Sequence, residues 1–164
     1  MRVRPKGKSA FSAAQRAARR LAAERAAGAH SGVFSWPMRV YYQHTDAGGM
    51  VFHANYFSFM ECARTELLQS LGFDLGEIAR RDGVLFVVHS AQIAYHKPAL
   101  LNDFLTVTAR VTRVGLARLE FEQAVRREEE VLASAALTLA CVSANSHRPV
   151  SVPEAIRTRL EGLR

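Results

Sequence analysis

Asp46 is a carboxylate placed where chemistry on a carbonyl is possible; His53 follows it by seven residues and Tyr42 precedes it by four. Asp46 opens the run Asp46-Ala47-Gly48-Gly49, where two glycines permit positive φ and close backbone approach. Ahead of it Arg39-Val40-Tyr41-Tyr42 is β-favouring, and Trp36-Pro37 gives that strand the character of an edge. After a short apolar crossing, Asn55 is expected to cap a helix over residues 56–71. A carboxylate is thereby placed on a turn between a strand and a helix N-terminus. The plainer reading stays open for each residue. Aspartates in such turns often only bond turn amides, a lone histidine is usually structural, and Tyr42 could be an ordinary strand tyrosine.

On an extended strand, His44 and Asp46 share a face, so His44 is a candidate to tune the Asp46 carboxyl. Glu61 is the reserve carboxylate. It lies three residues from Arg64 on one helical face, a spacing that suits an ion pair. Cys62 and Cys141 make neither a disulfide framework nor a metal set and read as reduced, partly buried thiols. No metal is expected.

The net charge of +7 is confined to the N-terminus. Residues 1–30 hold eight cations and one anion, which leaves fourteen of each in the remainder. A basic patch on the folded domain, and with it nucleic-acid binding, is not implied. Residues 1–34 read as a basic Ala/Arg-rich tail, solvated or disordered, with weak contact to an anionic membrane as the alternative. The N-terminus lacks the apolar stretch of a secretory signal, and no run is long enough to span a bilayer. A cytoplasmic protein fits.

Residues 35–164 read as one domain. In the helix over 56–71, Phe57, Met60, Ala63, Leu67 and Leu71 make an apolar stripe. Asp74 is placed to cap a second, short helix that runs to Arg81. Strands are expected over 84–95, 104–114, 116–126 and 131–144, with a charged hairpin at 126–130. Pro153 is expected to start a closing helix. One strand, one long helix and four serial strands argue an α+β fold with a mostly antiparallel sheet.

The stretches Arg39-Val40-Tyr41-Tyr42, Thr45 through Tyr56 and Glu61-Cys62-Ala63-Arg64-Thr65-Glu66 together resemble the signature of hotdog-fold acyl-CoA thioesterases. The branch is the 4-hydroxybenzoyl-CoA thioesterase family, and within it the Tol-Pal-associated group. Trp36-Pro37 and the spacing of Pro98, Ala99, Leu101 and Asp103 fit as well, and the likeness covers residues 34–161. It implies a curved sheet wrapped around a central helix, and hydrolysis of acyl-CoA thioesters.

By the same resemblance Asp46 is the catalytic carboxylate, acting as general base or as nucleophile. His53 offers its backbone N–H to the carbonyl at the positive end of the helix dipole, and Tyr42 lines the pocket. A thioester suits such a spare site. Its leaving thiol has a pKa of about 8.5 and needs little acid assistance. No cofactor is implied, CoA being part of the substrate. Its phosphates would meet Arg113, Arg118 and Arg148, with Asn55 as a further substrate contact.

The site is expected between protomers of a homodimer or homotetramer, and acyl carrier protein is a possible partner. Two departures stand out: His44 where many relatives carry Asp, and Arg118 where they often carry a small polar residue. The competing readings are a hotdog hydratase or dehydratase, and a non-catalytic acyl-thioester or protein-binding module.

Overall fold

The computed structural model describes residues 32–164. The tail expectation therefore lies outside the described residues, except that Val33 and Phe34 already belong to the first strand. Five strands form: β1 (Val33–Arg39), β2 (Val84–Tyr95), β3 (Phe104–Val114), β4 (Arg118–Arg127) and β5 (Glu130–Ser143). They make one antiparallel sheet in the order β1-β3-β4-β5-β2. Period-two alternation sends Leu105, Val107, Ala109 and Val111 of β3, and Leu119, Phe121 and Val125 of β4, to one buried face. Helix α1 (Asn55–Ser70) packs there through Tyr56, Phe59, Met60, Ala63, Leu67 and Leu68. This is the helix-in-sheet arrangement that the resemblance implies.

The buried stripe of α1 is rotated from the expected one, and Phe57 and Leu71 lie half-buried at its margins. Two tyrosine-sized facts set the rotation: Tyr56 is buried at the helix start, and Phe59 follows it on the same face. Cys62 falls on the opposite face and is exposed, which corrects its expected partial burial; Cys141 is buried. Arg64 is only 7% exposed. Instead of reaching for Glu61, its Nη1 donates to Gln123 Oε1 at 2.5 Å. Gln123 Nε2 donates in turn to the carbonyls of Met60 (3.0 Å) and Thr108 (3.1 Å), so the couple ties α1 to the sheet. Glu61 accepts from Thr65 Oγ1.

The opening strand ends earlier than the residues suggest. Its partner β3 starts at Phe104, opposite Arg39, so the ladder runs out there. Val40 N still donates to Asp103 O, and residues Tyr42–His44 then wind into a 3-10 turn. Pro37 sits inside β1 and is tolerated because β1 is an outermost strand. Helix α2 (Leu75–Arg81) is capped as expected, Asp74 Oδ1 accepting from Glu77 N at 2.8 Å. Helix α3 (Glu154–Glu161) closes the core with Ile156 and Leu160. No helix of the described residues is long and apolar enough to cross a membrane.

The connection from β2 to β3, residues 96–103, is held by a chain of charges. Lys97 pairs with Glu130, and Arg127 donates to Glu130 Oε2 (2.6 Å) and to Asp103 Oδ2 (2.8 Å). Asp103 Oδ2 also accepts from Leu100 N at 2.9 Å. Hydrogen bonds from Lys97 and then Arg127 hold the Glu130 carboxyl below the ordinary glutamate range. A carboxyl lowered in the folded state contributes stability above its unfolded pKa, and that contribution is lost as the pH falls through the folded value. The melting temperature of the wild type is therefore expected to fall more steeply than that of Glu130→Gln as the pH drops below about 4.3. Parallel melting curves for the two proteins across that range would show that the charge chain contributes nothing.

Candidate active site

The turn around Asp46 is built almost entirely from backbone hydrogen bonds. Asp46 N donates to Met50 O (2.9 Å), Gly49 N returns to Asp46 O (3.0 Å), and Phe52 N donates to His44 O (2.9 Å). Thr45 and Val51 pair as an isolated antiparallel bridge. Gly49 holds a φ of +74°, where a side chain is strained. At Gly48 a Cβ would stand 3.2 Å from Asp46 Oδ1. That oxygen accepts from Gly48 N at 2.8 Å, which orients the carboxylate and leaves Oδ2 without a donor among the described residues. Asp46 thus does bond a turn amide, and one of its oxygens remains available.

This turn is fastened to the rest of the protein at Ala99 and Leu100. Met50 bridges Leu100, and Val51 N donates to Ala99 O at 2.9 Å. The Ala99 N–H donates to Tyr56 Oη, also at 2.9 Å, on the first turn of α1. Burial pushes the Tyr56 phenol up from its ordinary pKa, which keeps the hydroxyl neutral. Turn, inter-strand connection and helix start meet at one buried residue, Ala99.

Asn55 is the first residue of α1 rather than its cap. Ala54 holds the cap position with no side-chain bond, and Asn55 Nδ2 donates to His44 O at 2.8 Å. The amide side chain is drawn back to the 3-10 turn because the His44 carbonyl there has room for a second donor. His44 does not share a face with Asp46. Its Nδ1 accepts from Tyr41 N at 3.0 Å, and its ring sits edge-on to Phe59 with centroids 5.0 Å apart. Burial lowers its pKa.

His53 is exposed, its ring tilted on Phe52 and edge-on to Tyr95. The N–H groups of His53 and Ala54 have no acceptor among the described residues, although the next three, from Asn55, Tyr56 and Phe57, already bond back to preceding carbonyls. Two free donors at the positive end of a sixteen-residue helix are what a developing oxyanion requires. Tyr42 is 82% exposed and makes no side-chain hydrogen bond or ring contact among the described residues. Within one protomer no hydrogen bond ties its hydroxyl to Asp46.

The three arginines lie elsewhere. Arg113 and Arg118 line a concavity of about 310 Å³ with Gly115, Leu116, Ala117 and Glu120 at the turn from β3 to β4. Arg148, whose carbonyl accepts from Ser143 N, sits just past the end of β5. Both places are at the far end of the strands from Asp103, roughly 30 Å from it along the eleven residues of β3. A single protomer does not join them to Asp46. The larger concavity, about 550 Å³, is on the outer face of the sheet, walled by Ala94, Ser134, Ala136 and the Arg110–Glu122 pair. It holds none of the expected site residues.

Residue motifs did not single out Tyr95, and they gave Ala99 and Ala54 no role of their own. The signal for Tyr95 was its place at the end of a strand, where a phenol offers a polar handle.

Comparison with known proteins bears on the family and the fold. Residues 48–134 match the family model of the thioesterase superfamily. The acyl-CoA thioesterase YbgC of Haemophilus influenzae is 39% identical over 131 residues, 80% of this chain and 96% of the relative. The acyl-CoA thioester hydrolase YbgC of Escherichia coli O6:H1 is 38% identical over 125 residues, 76% and 92% of the two chains. The crystal structure of a probable thioesterase from Bartonella henselae superposes with a TM-score of 0.71 at 31% identity, covering 74% of this chain and 99% of that one. By these matches and by its helix-wrapping sheet, the chain belongs to the thioesterase superfamily, in its hotdog fold.

Proposed function

We propose that the protein hydrolyses acyl-CoA thioesters to a free acid and CoA. The observation that carries this reading is the pairing of a half-free carboxylate, Asp46, with the unpartnered N–H groups of His53 and Ala54 on one short backbone segment. In the general-base form, Asp46 takes a proton from water as the water oxygen bonds to the carbonyl carbon. Charge collects on the carbonyl oxygen under the α1 amides. The C–S bond then breaks, and the thiolate of CoA leaves to be protonated by solvent. In the nucleophilic form an Asp46 oxygen bonds to the carbonyl carbon, the C–S bond breaks as the CoA thiolate leaves, and water then opens the resulting anhydride to the free acid and the Asp46 carboxylate. The names of the YbgC relatives support acyl-CoA as the substrate class. Acyl carrier protein thioesters remain a second carrier for the same carbonyl chemistry.

The reading includes a two-fold homodimer, by itself or within a tetramer, acting in the cytoplasm. Strand β2 is an outermost strand of twelve residues, and Val87 and Val88 are exposed on it. A long apolar edge of this kind calls for a partner. Antiparallel pairing of two β2 edges would carry the arginines of one protomer toward the Asp46 turn of the other, where the CoA phosphates need them. Tyr42, solvated in the protomer, would gain its surroundings in the same way.

Thiol release should be followed over short, long and aromatic acyl-CoAs for wild type and Asp46→Asn. The variant is expected to lose about 100-fold or more in kcat, the scale of removing a catalytic base. Equal rates in the two proteins, or no turnover of any acyl-CoA by the wild type, would refute the mechanism. Val88→Asp is expected to sediment as a monomer and to lose activity; a fully active monomer would refute the shared site.

A further inference from the structure

Tyr95 is the last residue of β2, and its hydroxyl donates to the carbonyl oxygen of His53 at 3.0 Å. The same carbonyl accepts only a long bond, 3.4 Å, from Tyr56 N on the first turn of α1. Within a planar peptide unit, the direction of the His53 C=O fixes the direction of the Ala54 N–H on the other side. That N–H is one of the two unpartnered donors at the helix start. The Tyr95 ring is held from two sides, edge-on to Tyr56 at 5.4 Å and to His53 at 6.5 Å between centroids. A side chain 45% exposed is thus fixed in place by ring contacts and by one hydrogen bond.

We propose that Tyr95 is a positioning residue for thioester hydrolysis, its hydroxyl holding the His53–Ala54 peptide so that the Ala54 N–H stands beside the His53 N–H as a second donor to the thioester carbonyl. This rests on the thioesterase reading above. Two effects follow from the single bond. Orientation is the first, since the one other bond to the His53 carbonyl is the 3.4 Å bond from Tyr56 N. Polarisation is the second: a proton donated to a peptide oxygen makes the N–H of that peptide a stronger donor. Tyr95 touches neither the substrate nor the reacting atoms in this role. It acts through the backbone.

The test is Tyr95→Phe, which keeps both ring contacts and removes only the hydroxyl. Steady-state thiol release is measured for wild type, Tyr95→Phe and Asp46→Asn with butyryl-CoA and benzoyl-CoA. In parallel, the carbonyl stretch of the same two acyl-CoAs, carrying ¹³C at the thioester carbon, is recorded bound to Asp46→Asn and to Asp46→Asn/Tyr95→Phe. Removing a direct oxyanion donor costs 100-fold or more, so loss of a brace on one donor is expected to lower kcat about tenfold with KM unchanged. The bound carbonyl should move to higher frequency in the double variant, because it is less polarised. A purely structural role would lower the melting temperature without moving that band.

Unchanged kcat and an unmoved band, with wild type active and Asp46→Asn inactive, would overturn the role of Tyr95 and leave the thioesterase reading intact. No hydrolysis of either probe by the wild type would instead strike the reading itself, and the inference with it.

Discussion

The backbone of Ala99 is hydrogen-bonded in both directions, to Val51 N through its carbonyl and to Tyr56 Oη through its N–H. Ala99 is completely buried, so neither bond has water as a substitute. A buried amide left without an acceptor costs about 1–3 kcal/mol, which makes the pair an obligation rather than an ornament. Three segments far apart in sequence are fixed through it: the Asp46 turn, the connection from β2 to β3, and the start of α1. The outer side of that connection is held by the Lys97–Glu130–Arg127–Asp103 chain. The carboxylate and the free amides of α1 therefore move as one unit or not at all.

This economy suits thioester chemistry. Amide hydrolysis would need an acid poised at the leaving group, and the described residues around Asp46 offer no such set. A thiolate leaves at neutral pH with little help. What remains is to orient an oxygen nucleophile and to stabilise charge on one carbonyl oxygen, both of which are matters of geometry. The protomer supplies that geometry at one end of the sheet and its arginines at the other. In the proposed dimer, pairing along the exposed β2 edge would close that distance.

Much of the fold was legible because each element carries a strong local signal. β2 and β3 fall on their expected bounds, and Asp74 caps its helix, since strand alternation and capping are set by near neighbours. The Asp46 turn was legible for the same reason: two glycines after an aspartate have few other uses. What failed depended on partners distant in sequence. Arg39–Tyr42 has strand propensity throughout, yet β1 stops at Arg39 because β3 does not extend further. His44 alternates with Asp46 only on an extended strand, and the 3-10 turn removes that condition. Arg64 has an acidic neighbour three residues away and still turns inward, because Gln123 waits across fifty-nine residues of chain. Tyr95 was silent as a motif and Ala99 entered only as one position of a spacing, since their roles lie in what the fold sets opposite them.

The most direct measurement is thiol release from acyl-CoA by Tyr56→Phe, taken together with its stability in urea. The substitution keeps the buried ring and removes the one acceptor of the Ala99 N–H. Held by that peptide, the site should lose both properties at once: about 1–3 kcal/mol of stability, and about tenfold or more in kcat at a temperature where the protein remains folded, since displacement by about 1 Å is enough to cost more. Full activity in a protein of unchanged stability would contradict the account, because the turn and the helix start would then be positioned by something other than Ala99.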